Sequence, residues 1–524
     1  MANRSLDHLI IGAGPAGLQL GQLLQKSRRG YLILEAGDAP GTFFRTFPRH
    51  RTLISSNKKH TGTDDPELNL RMDWNSLLSD DPELLFTRYS DRYFPAADDM
   101  VRYLADYAER CRLNIAYGTR ATNVTRTAEG VFRVTCDTGD TYEAKRLIVA
   151  AGFTRPNVPP IPGVETADLY GEHSTDPAEY VDKRVLIIGK GNSAFETAEN
   201  LIESAAVIHV AGPRSLRLAW RTHFVGHVRA VNNNFLDTYQ LKSQNAILDG
   251  EVRRIERRPD GGYLVTVAFV RADEVTKDIP YDRVIVCTGF RLDASIFDGS
   301  CRPELTIDER FPALTPAYES VNVPDLYFAG TLTQSRDFKR GTSGFIHGFR
   351  YGTRALHRVM EYRHHGAEWP GRTLTADPRD LADAVLARVN RSSALWQQFG
   401  TLADVIVLDS AGGARYLEEL PVDFGDAPVS DAGPGGHFTI TLDYGPDHDK
   451  VDPFDVSVTR ISQRDAGRAH EGHYLHPIVR HHRGGEVTAV HHVTENLEND
   501  WTSEDVHAEP LREFFARQTA STPV

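Results

Sequence analysis

Apolar residues fall in short blocks along the chain, and the block spacing alternates between two kinds of element. Leu9, Ile10 and Ile11 form an unbroken run that predicts a buried strand, and Leu18, Leu20, Leu23 and Leu24 continue at helical spacing. YLILE at 31–35 then predicts a second strand that closes on an acid. Met100, Val101, Leu104, Tyr107 and Ala108 mark one face of a helix over 98–112. Strands follow in VFRVTC (131–136) and KRLIVAAGF (145–153), the second running into Ala151-Gly152. After Pro156, Pro159, Pro160 and Pro162, a stiff connector, the whole pattern starts again. KRVLIIGKGNSAFETAENLI (183–202) predicts strand, turn and helix, AAVIHVAG (205–212) a strand, and GGYLVTVAFV and YDRVIVCTGF strands that end at Thr288-Gly289. DLYFAG (325–330) resumes the first unit and leads into a helix over 345–359.

This pattern predicts an α/β fold of two nested Rossmann-like dinucleotide-binding domains with a small C-terminal α+β appendage. The boundaries expected are 1–160 and 291–368 for the first domain, 161–290 for the inserted second, and 369–524 for the appendage. There the short strands ADVIVLD (403–409) and HFTITLD (437–443) are separated by turns such as PVSDAGPGGH (428–437).

The glycines say what the two units hold. Gly12, Gly14 and Gly17 fill G-x-G-x-x-G around Pro15 and Ala16, and Gly189, Gly191 and Ala194 fill G-x-G-x-x-A around Asn192 and Ser193. The first glycine permits the tight turn, the second lets backbone approach a pyrophosphate, and the third packs helix on strand. Phosphate oxygens then face the free N–H groups of a helix start. Glu35, eighteen residues after Gly17 and followed by Ala36, is placed to accept from ribose hydroxyls. The strand of the second unit ends without an acid and runs into Arg214 and Arg217. An arginine fork suits a 2′-phosphate, so NADPH is expected over NADH. Within the first unit, 37–78 is rich in turn formers, and its polar cluster Ser55, Ser56, Asn57, Lys58 and Lys59 either lines a site or is solvated surface.

Composition narrows the class further. Net charge is −13, which argues against nucleic acid as the main partner. No apolar run approaches a membrane span, and the N-terminus shows no basic-then-apolar leader, so a cytoplasmic protein is expected. Cys111, Cys136, Cys287 and Cys301 have no C-x-x-C or metal-ligand spacing, so a redox-active cysteine pair is missing. Eight of the 21 histidines fall between His470 and His507, so metal binding has to be weighed there. A hairpin turning at Gly484-Gly485 would bring His481 or His482 near His491 or His492, but no Cys or carboxylate spacing supports a metal. Solvated strand faces account for them better, and no metal is expected. His223 and His227 are read as structural.

Several separate stretches carry a resemblance over about residues 5–365: GAGPAGLQLG, EAGDAPGTFFRTFPRHRTLIS, MDWNSLLS, GKGNSAFETAEN, AVNNNFLDTYQLKS and FIHGFRYGTRA. In these the chain resembles the class B flavin-dependent monooxygenases. The branch it most resembles holds the FAD-dependent oxidoreductase domain-containing flavoproteins of the endoplasmic reticulum and their bacterial relatives. The resemblance implies FAD on Gly12, Gly14, Gly17 and Glu35, with Gly152 and Gly330-Thr331 at the end of the first unit. It implies NADPH on Gly189, Gly191, Ser193 and the Arg214 region. It also implies an asparagine beside the reactive flavin carbon, for which Asn57, with Lys58 beside it, is the candidate. His347 and Arg350 lie in the first turn of a helix expected to aim at the flavin. The activity implied is NADPH-dependent oxygenation of a small molecule with molecular oxygen through a C4a-hydroperoxyflavin, with amine N-hydroxylation as the narrower reading. The alternative is a reductase or oxidase that passes electrons to a partner or to oxygen. No nucleic acid or membrane partner is expected, and a homodimer is compatible. Two departures stand out. The ketone-oxygenating fingerprint F-x-G-x-x-x-H is only echoed in LYGEHSTD, where Gly171 and His173 lie too close, and Thr331 stands where related flavoproteins carry an aspartate.

Overall fold

The structure, a computed structural model, describes residues 5–240, 245–273, 275–409, 412–425, 428–429, 435–452 and 454–520. Parts of two stretches read above, 230–243 and 428–437, lie outside the described residues.

Ser5–Ile11, the apolar opening run, is the centre of a seven-stranded sheet. It pairs in parallel with Tyr31–Leu34 on one side and Thr141–Val149 on the other. Leu326–Phe328 returns from far along the chain to pair in parallel with Thr141–Val149, which puts DLYFAG in the first sheet as the sequence pattern requires. A second seven-stranded sheet is built only from residues between Asp168 and Val286, with Arg184–Ile188 between Val207–Gly212 and Arg283–Val286, all parallel. Both sheets therefore share one plan, a Gly-turn strand flanked by parallel neighbours, and the fold is the expected pair of nested α/β units.

Each Gly turn opens into a helix, Pro15–Lys26 in the first unit and Asn192–Leu201 in the second. The helix expected at 98–112 is Ala97–Arg110, and that expected at 345–359 extends over Ile346–His365. Pro15–Lys26 and Ile346–His365 lie side by side, joined where Gln19 Nε2 donates to the Arg350 carbonyl (2.5 Å) and Arg29 pairs with Glu361 (2.6 Å).

The C-terminal part is more substantial than isolated short strands imply. Gly371–Thr375, Gly413–Pro421, Leu402–Leu408, His437–Asp443, His476–Arg483 and Glu486–His492 form one antiparallel sheet in that order. Pro378–Arg391 and Glu509–Ala520 pack together on it over a core that includes Leu381, Phe438, Trp501 and Phe515. An ionic cluster ties this sheet to the long helix. Glu419, 2% exposed, accepts from Arg354 and Arg358 of Ile346–His365 and from Arg388, and Arg388 also pairs with Asp404 (2.8 Å).

The histidine cluster needs correcting on two counts. The hairpin at Gly484-Gly485 forms, but its register sets His492 opposite Ile478 and His491 opposite Val479. The rings in contact are therefore His476 and His492 (Nε2 to Nδ1 2.9 Å), while His481 bonds the Gly435 carbonyl (2.8 Å). His476, His481 and His507 are buried in the sheet's packing, so solvated strand faces do not describe them. Among the described residues no group of three or more His, Cys, Asp or Glu side chains is placed to hold a metal, and no helix is long and apolar enough to cross a membrane.

Candidate functional site

The steric test of the glycine motifs is what a Cβ atom would meet. At Gly12, with φ +105°, it would lie 2.8 Å from the Ala150 carbonyl oxygen, and at Gly17 2.0 Å from the Gly12 oxygen. At Gly14 it would meet nothing closer than 4.0 Å. The second unit repeats this: Gly189, with φ +127°, would collide with the Cys287 carbonyl at 2.2 Å, while Gly191 faces open space. First and third positions are thus filled by the protein itself, and second positions are open toward a ligand. Gly14 and Gly191 are the N-caps of their helices, with no side-chain cap and no acid in the first turn. Their free N–H groups suit a pyrophosphate, so the residues present fit the two dinucleotides.

One cleft of about 380 Å³ joins the two units. Gly14, Pro15, Ala16, Gly152, Gly330 and Thr331 of the first unit, Asn192 and Ser193 of the second, and His347 all line it. Gly330, at φ +74°, lies close against Ala16, and Gly152, at φ +67°, beside the Thr331 hydroxyl, so three distant segments converge on one wall. Phe44, Phe47, Leu53, Trp74, Phe290, Phe345 and Phe349 supply an apolar lining. Such a lining with few polar groups is what a small-molecule site requires.

Other expected residues sit elsewhere. Glu35 is buried, and its carboxylate accepts from the N–H groups of Ala13 (2.7 Å) and Gly37 (2.8 Å) and from the Thr42 hydroxyl (3.0 Å). It braces the Gly turn from behind, leaving one lone-pair direction for a ribose, and Ala36 next to it is exposed. Arg214 and Arg217 are exposed at the end of Val207–Gly212 and have no ion pair among the described residues. Lys190 Nζ, in the Gly turn, donates to the Arg214 carbonyl (3.0 Å).

Asn57 and Lys58 do not reach the cleft. Asn57 is buried behind it, its amide donating to the carbonyls of Ser90 (2.7 Å) and Arg92 (3.3 Å). Lys58 is exposed and borders a separate polar cavity. Leu53, Ile54 and Ser55 line the cleft in succession, and after a bend at 54–55 the chain pairs with the 90–93 segment, where the Asn57 N–H donates to the Tyr93 carbonyl (2.7 Å) and its side chain follows. On the first-unit side the asparagine in the cleft is Asn75, whose Oδ1 accepts from Ser55 Oγ (2.5 Å) and whose Nδ2 donates to the Ser56 carbonyl (3.0 Å). Trp74 and Asn75 lie in the MDWNSLLS stretch, whose adjacent aromatic and amide were the available signal.

His347 is 2% exposed, stacks near Phe345 and Trp74, and is held neutral, with its pKa pushed down to about 3 by burial and by the nearby Arg350 and Arg229. Arg350 faces away from the cleft, bonding the carbonyls of Leu70 (2.5 Å) and Ser76 (2.9 Å), and so fixes the loop that presents Trp74 and Asn75. His227 lies in a segment folded over the Asn192–Leu201 helix start, where Asn192 Nδ2 donates to its carbonyl (2.9 Å) and Phe224 packs on Phe345. The outer side of that segment meets the short turn His448–Lys450 of the C-terminal part through the rings of His223 and His448, 4.0 Å apart. Cys111, Cys136, Cys287 and Cys301 are all free, and none lines the cleft. Sequence reading also passed over Tyr170 and Glu196, which do line it. Glu196 is a lone acid on the helix face that buries Ala194, Phe195 and Ala198, and that is the signal it offered.

Two Gly-turn units opening onto one cleft define an oxidoreductase with two dinucleotide cofactors. The comparisons with known proteins then place it: a family model described as pyridine nucleotide-disulphide oxidoreductase matches residues 9–330, and the chain belongs to that family. It is 39% identical to the FAD-dependent oxidoreductase domain-containing protein 2 of Mus musculus, over 97% of this chain and 83% of that protein. Among solved structures, a flavin-containing monooxygenase from Stenotrophomonas maltophilia superposes with a TM-score of 0.51 at 22% identity, covering 68% of this chain and 99% of its own. The FAD-bound cadaverine monooxygenase of desferrioxamine biosynthesis from Erwinia amylovora superposes with a TM-score of 0.53 at 15% identity, covering 69% and 95%. The chain is accordingly an FAD-dependent oxidoreductase, with FAD and NADPH as its cofactors.

Proposed function

We propose that the chain is an NADPH-dependent flavin monooxygenase acting on a small molecule, with an amine as the narrower substrate class. The observation that carries this reading is the composition of the cleft: both Gly turns open onto a chamber walled by aromatic and aliphatic side chains, with no cysteine in it to take electrons onward. In this reading the domain division is the one expected above, with FAD on the first unit and NADPH on the inserted one. Gly14, Pro15, Ala16, Glu35, Gly152, Gly330 and Thr331 would hold FAD, and Gly191, Asn192, Ser193, Arg214 and Arg217 would hold NADPH. Bound FAD would supply two-electron chemistry, accepting hydride from NADPH and making dioxygen reactive.

The chain's own residues do the rest. Phe44, Phe47, Leu53, Phe345 and Phe349 exclude water, which strengthens every polar contact inside and suppresses unproductive release of oxygen as peroxide. Asn75, fixed by Ser55 and the Ser56 carbonyl, takes the role first assigned to Asn57 and offers a preorganised amide at the wall. His347, neutral across the physiological range, adds no cation to the chamber. The start of Ile346–His365 has no side-chain cap and no acid in its first turn, so its dipole stabilises negative charge developing beside it. Four free thiols suit the reducing cytoplasm, which is the location proposed.

The test is turnover of the purified yellow protein with NADPH under labelled dioxygen, with and without a panel of small amines and sulfides. Substrate-dependent NADPH oxidation with one labelled oxygen atom in the product supports the reading. Hydrogen peroxide in equal amount to the NADPH consumed, whatever substrate is added, would make the chain an oxidase.

A further inference from the structure

Burying a carboxylate is costly unless it is paired with a cation or carries a proton. Glu196, on the cleft face of the Asn192–Leu201 helix, is 7% exposed and has no ion pair among the described residues. Its Oε1 accepts from the hydroxyl of Tyr170, and the Tyr170 oxygen accepts from the Arg49 N–H (3.1 Å). Tyr170 is itself clamped between Phe47, stacked at 5.5 Å, and Phe290, edge-on at 6.2 Å. Glu196, Tyr170 and Ser193 all line the cleft, on the side that meets the NADPH unit.

From this geometry we propose that Glu196 is the proton store of the cleft, holding as a neutral acid the proton that each NADPH oxidation consumes, with Tyr170 as the residue that positions it. The requirement comes from the balance of the reaction. NADPH gives up a hydride, and one proton must be added. With dioxygen and a substrate, one oxygen atom goes to the substrate and the other leaves as water. With dioxygen alone, the same hydride and proton leave as hydrogen peroxide. In either case Glu196 releases the proton into the cleft, becomes a carboxylate, and is reprotonated from solvent. The inference therefore rests on NADPH oxidation and holds whether or not the oxygen reaches a substrate.

The electrostatics agree with the geometry. Burial is the largest influence on Glu196 and raises its pKa to about 7, while the Tyr170 hydroxyl and the nearby Arg49 pull it the other way and Glu199 pushes it up. Cys287, packed beside it from the neighbouring strand, stays a thiol, its pKa driven far up by burial. The acid is therefore poised at neutrality, where it both gives and regains a proton readily.

Infrared titration of the resting holoenzyme between pH 5 and 9 tests this without turnover. A protonated carboxyl band should disappear with a midpoint near neutrality, and it should be missing in Glu196→Gln. In Tyr170→Phe the midpoint should move upward, because a donor to the ionised form is lost. The pH profile of NADPH oxidation in Glu196→Gln should lose the inflection at that midpoint. A wild-type protein with no carboxyl titrating above pH 6, a band that persists in Glu196→Gln, or an unchanged NADPH profile would each overturn the proposal. If Glu196→Gln does not fold, Glu196→Asp replaces it, and a band and midpoint identical to wild type would count against Glu196. Labelled oxygen in product decides the monooxygenase reading separately.

Discussion

Gly14 and Gly17 differ in what a methyl group would meet, and that difference separates folding from cofactor binding. Gly17→Ala forces a carbon to 2.0 Å from the Gly12 oxygen and should destabilise the protein by at least about 1–3 kcal/mol, measured by urea unfolding. Gly14→Ala meets nothing within 4.0 Å and has an ordinary φ of −77°, so stability should hold while flavin content of the purified protein falls. Arg214 and Arg217 allow a similar separation, because no ion pair among the described residues depends on them. Replacing both with alanine should weaken NADP⁺ binding by at least about 10–100-fold, since even a single bond between charged groups contributes about 1.5–3 kcal/mol. NAD⁺ binding should barely change, and calorimetric titration with both nucleotides checks it. At this scale the motif glycines were legible because their reason is local sterics. Asn57 was misplaced because its direction depends on the carbonyls of Ser90 and Arg92, which no local pattern announces.

Among the elements, Ile346–His365 couples the cleft to the C-terminal sheet. Its first turn lines the cleft with Ile346 and His347, and its third and fourth turns present Arg354 and Arg358 to Glu419. Glu419 is fully buried with three arginines around it, which hold its pKa down to about 2 against the cost of burial. Removing that carboxylate leaves buried cations without a partner, so Glu419→Gln should cost about 3–5 kcal/mol, seen as a lower midpoint in chemical denaturation. Because the helix is shared, flavin retention should fall in the same variant. The helix itself was legible from its spacing. Its partner was not, since Glu419 is 54 residues beyond His365 in a strand whose acid reads as ordinary surface charge.

For the whole molecule, ten histidines, His8, His50, His227, His347, His357, His364, His437, His448, His491 and His492, are pushed down to between about 3 and 4, chiefly by burial. A ring with a depressed pKa binds its proton in the unfolded chain before it does so in the folded one. Its contribution is intact above the ordinary value of 6.5 and is lost as pH falls from there toward 4. For a fully buried ring such as His8 the loss is about 1.4 kcal/mol per pH unit. Glu196, raised to about 7, acts in the opposite sense between 4.5 and 7, and so do Glu199, Asp337, Asp404 and Asp443, raised by burial, but these are five groups against ten. Thermal melts should therefore show a steep fall in midpoint between pH 6.5 and 5 and a near plateau from 7 to 8.

The sequence by itself determined the two Gly-turn units, their nesting, the cofactors they hold and the absence of a cysteine pair, because each follows from local sterics, periodicity or residue count. Only the tertiary structure decided which face each side chain presents. It brought Gly14, Gly152, Asn192, Thr331 and His347 to one cleft, put Asn75 there in place of Asn57, and turned the Glu35 carboxylate to brace the Gly turn. It also buried His476, His481 and His507 of the histidine cluster, readable as a solvated strand face, while His470 stays exposed. The physical reason is the same in each case: chain direction is set by local bonds, but the neighbour a side chain finds is set by packing between segments hundreds of residues apart.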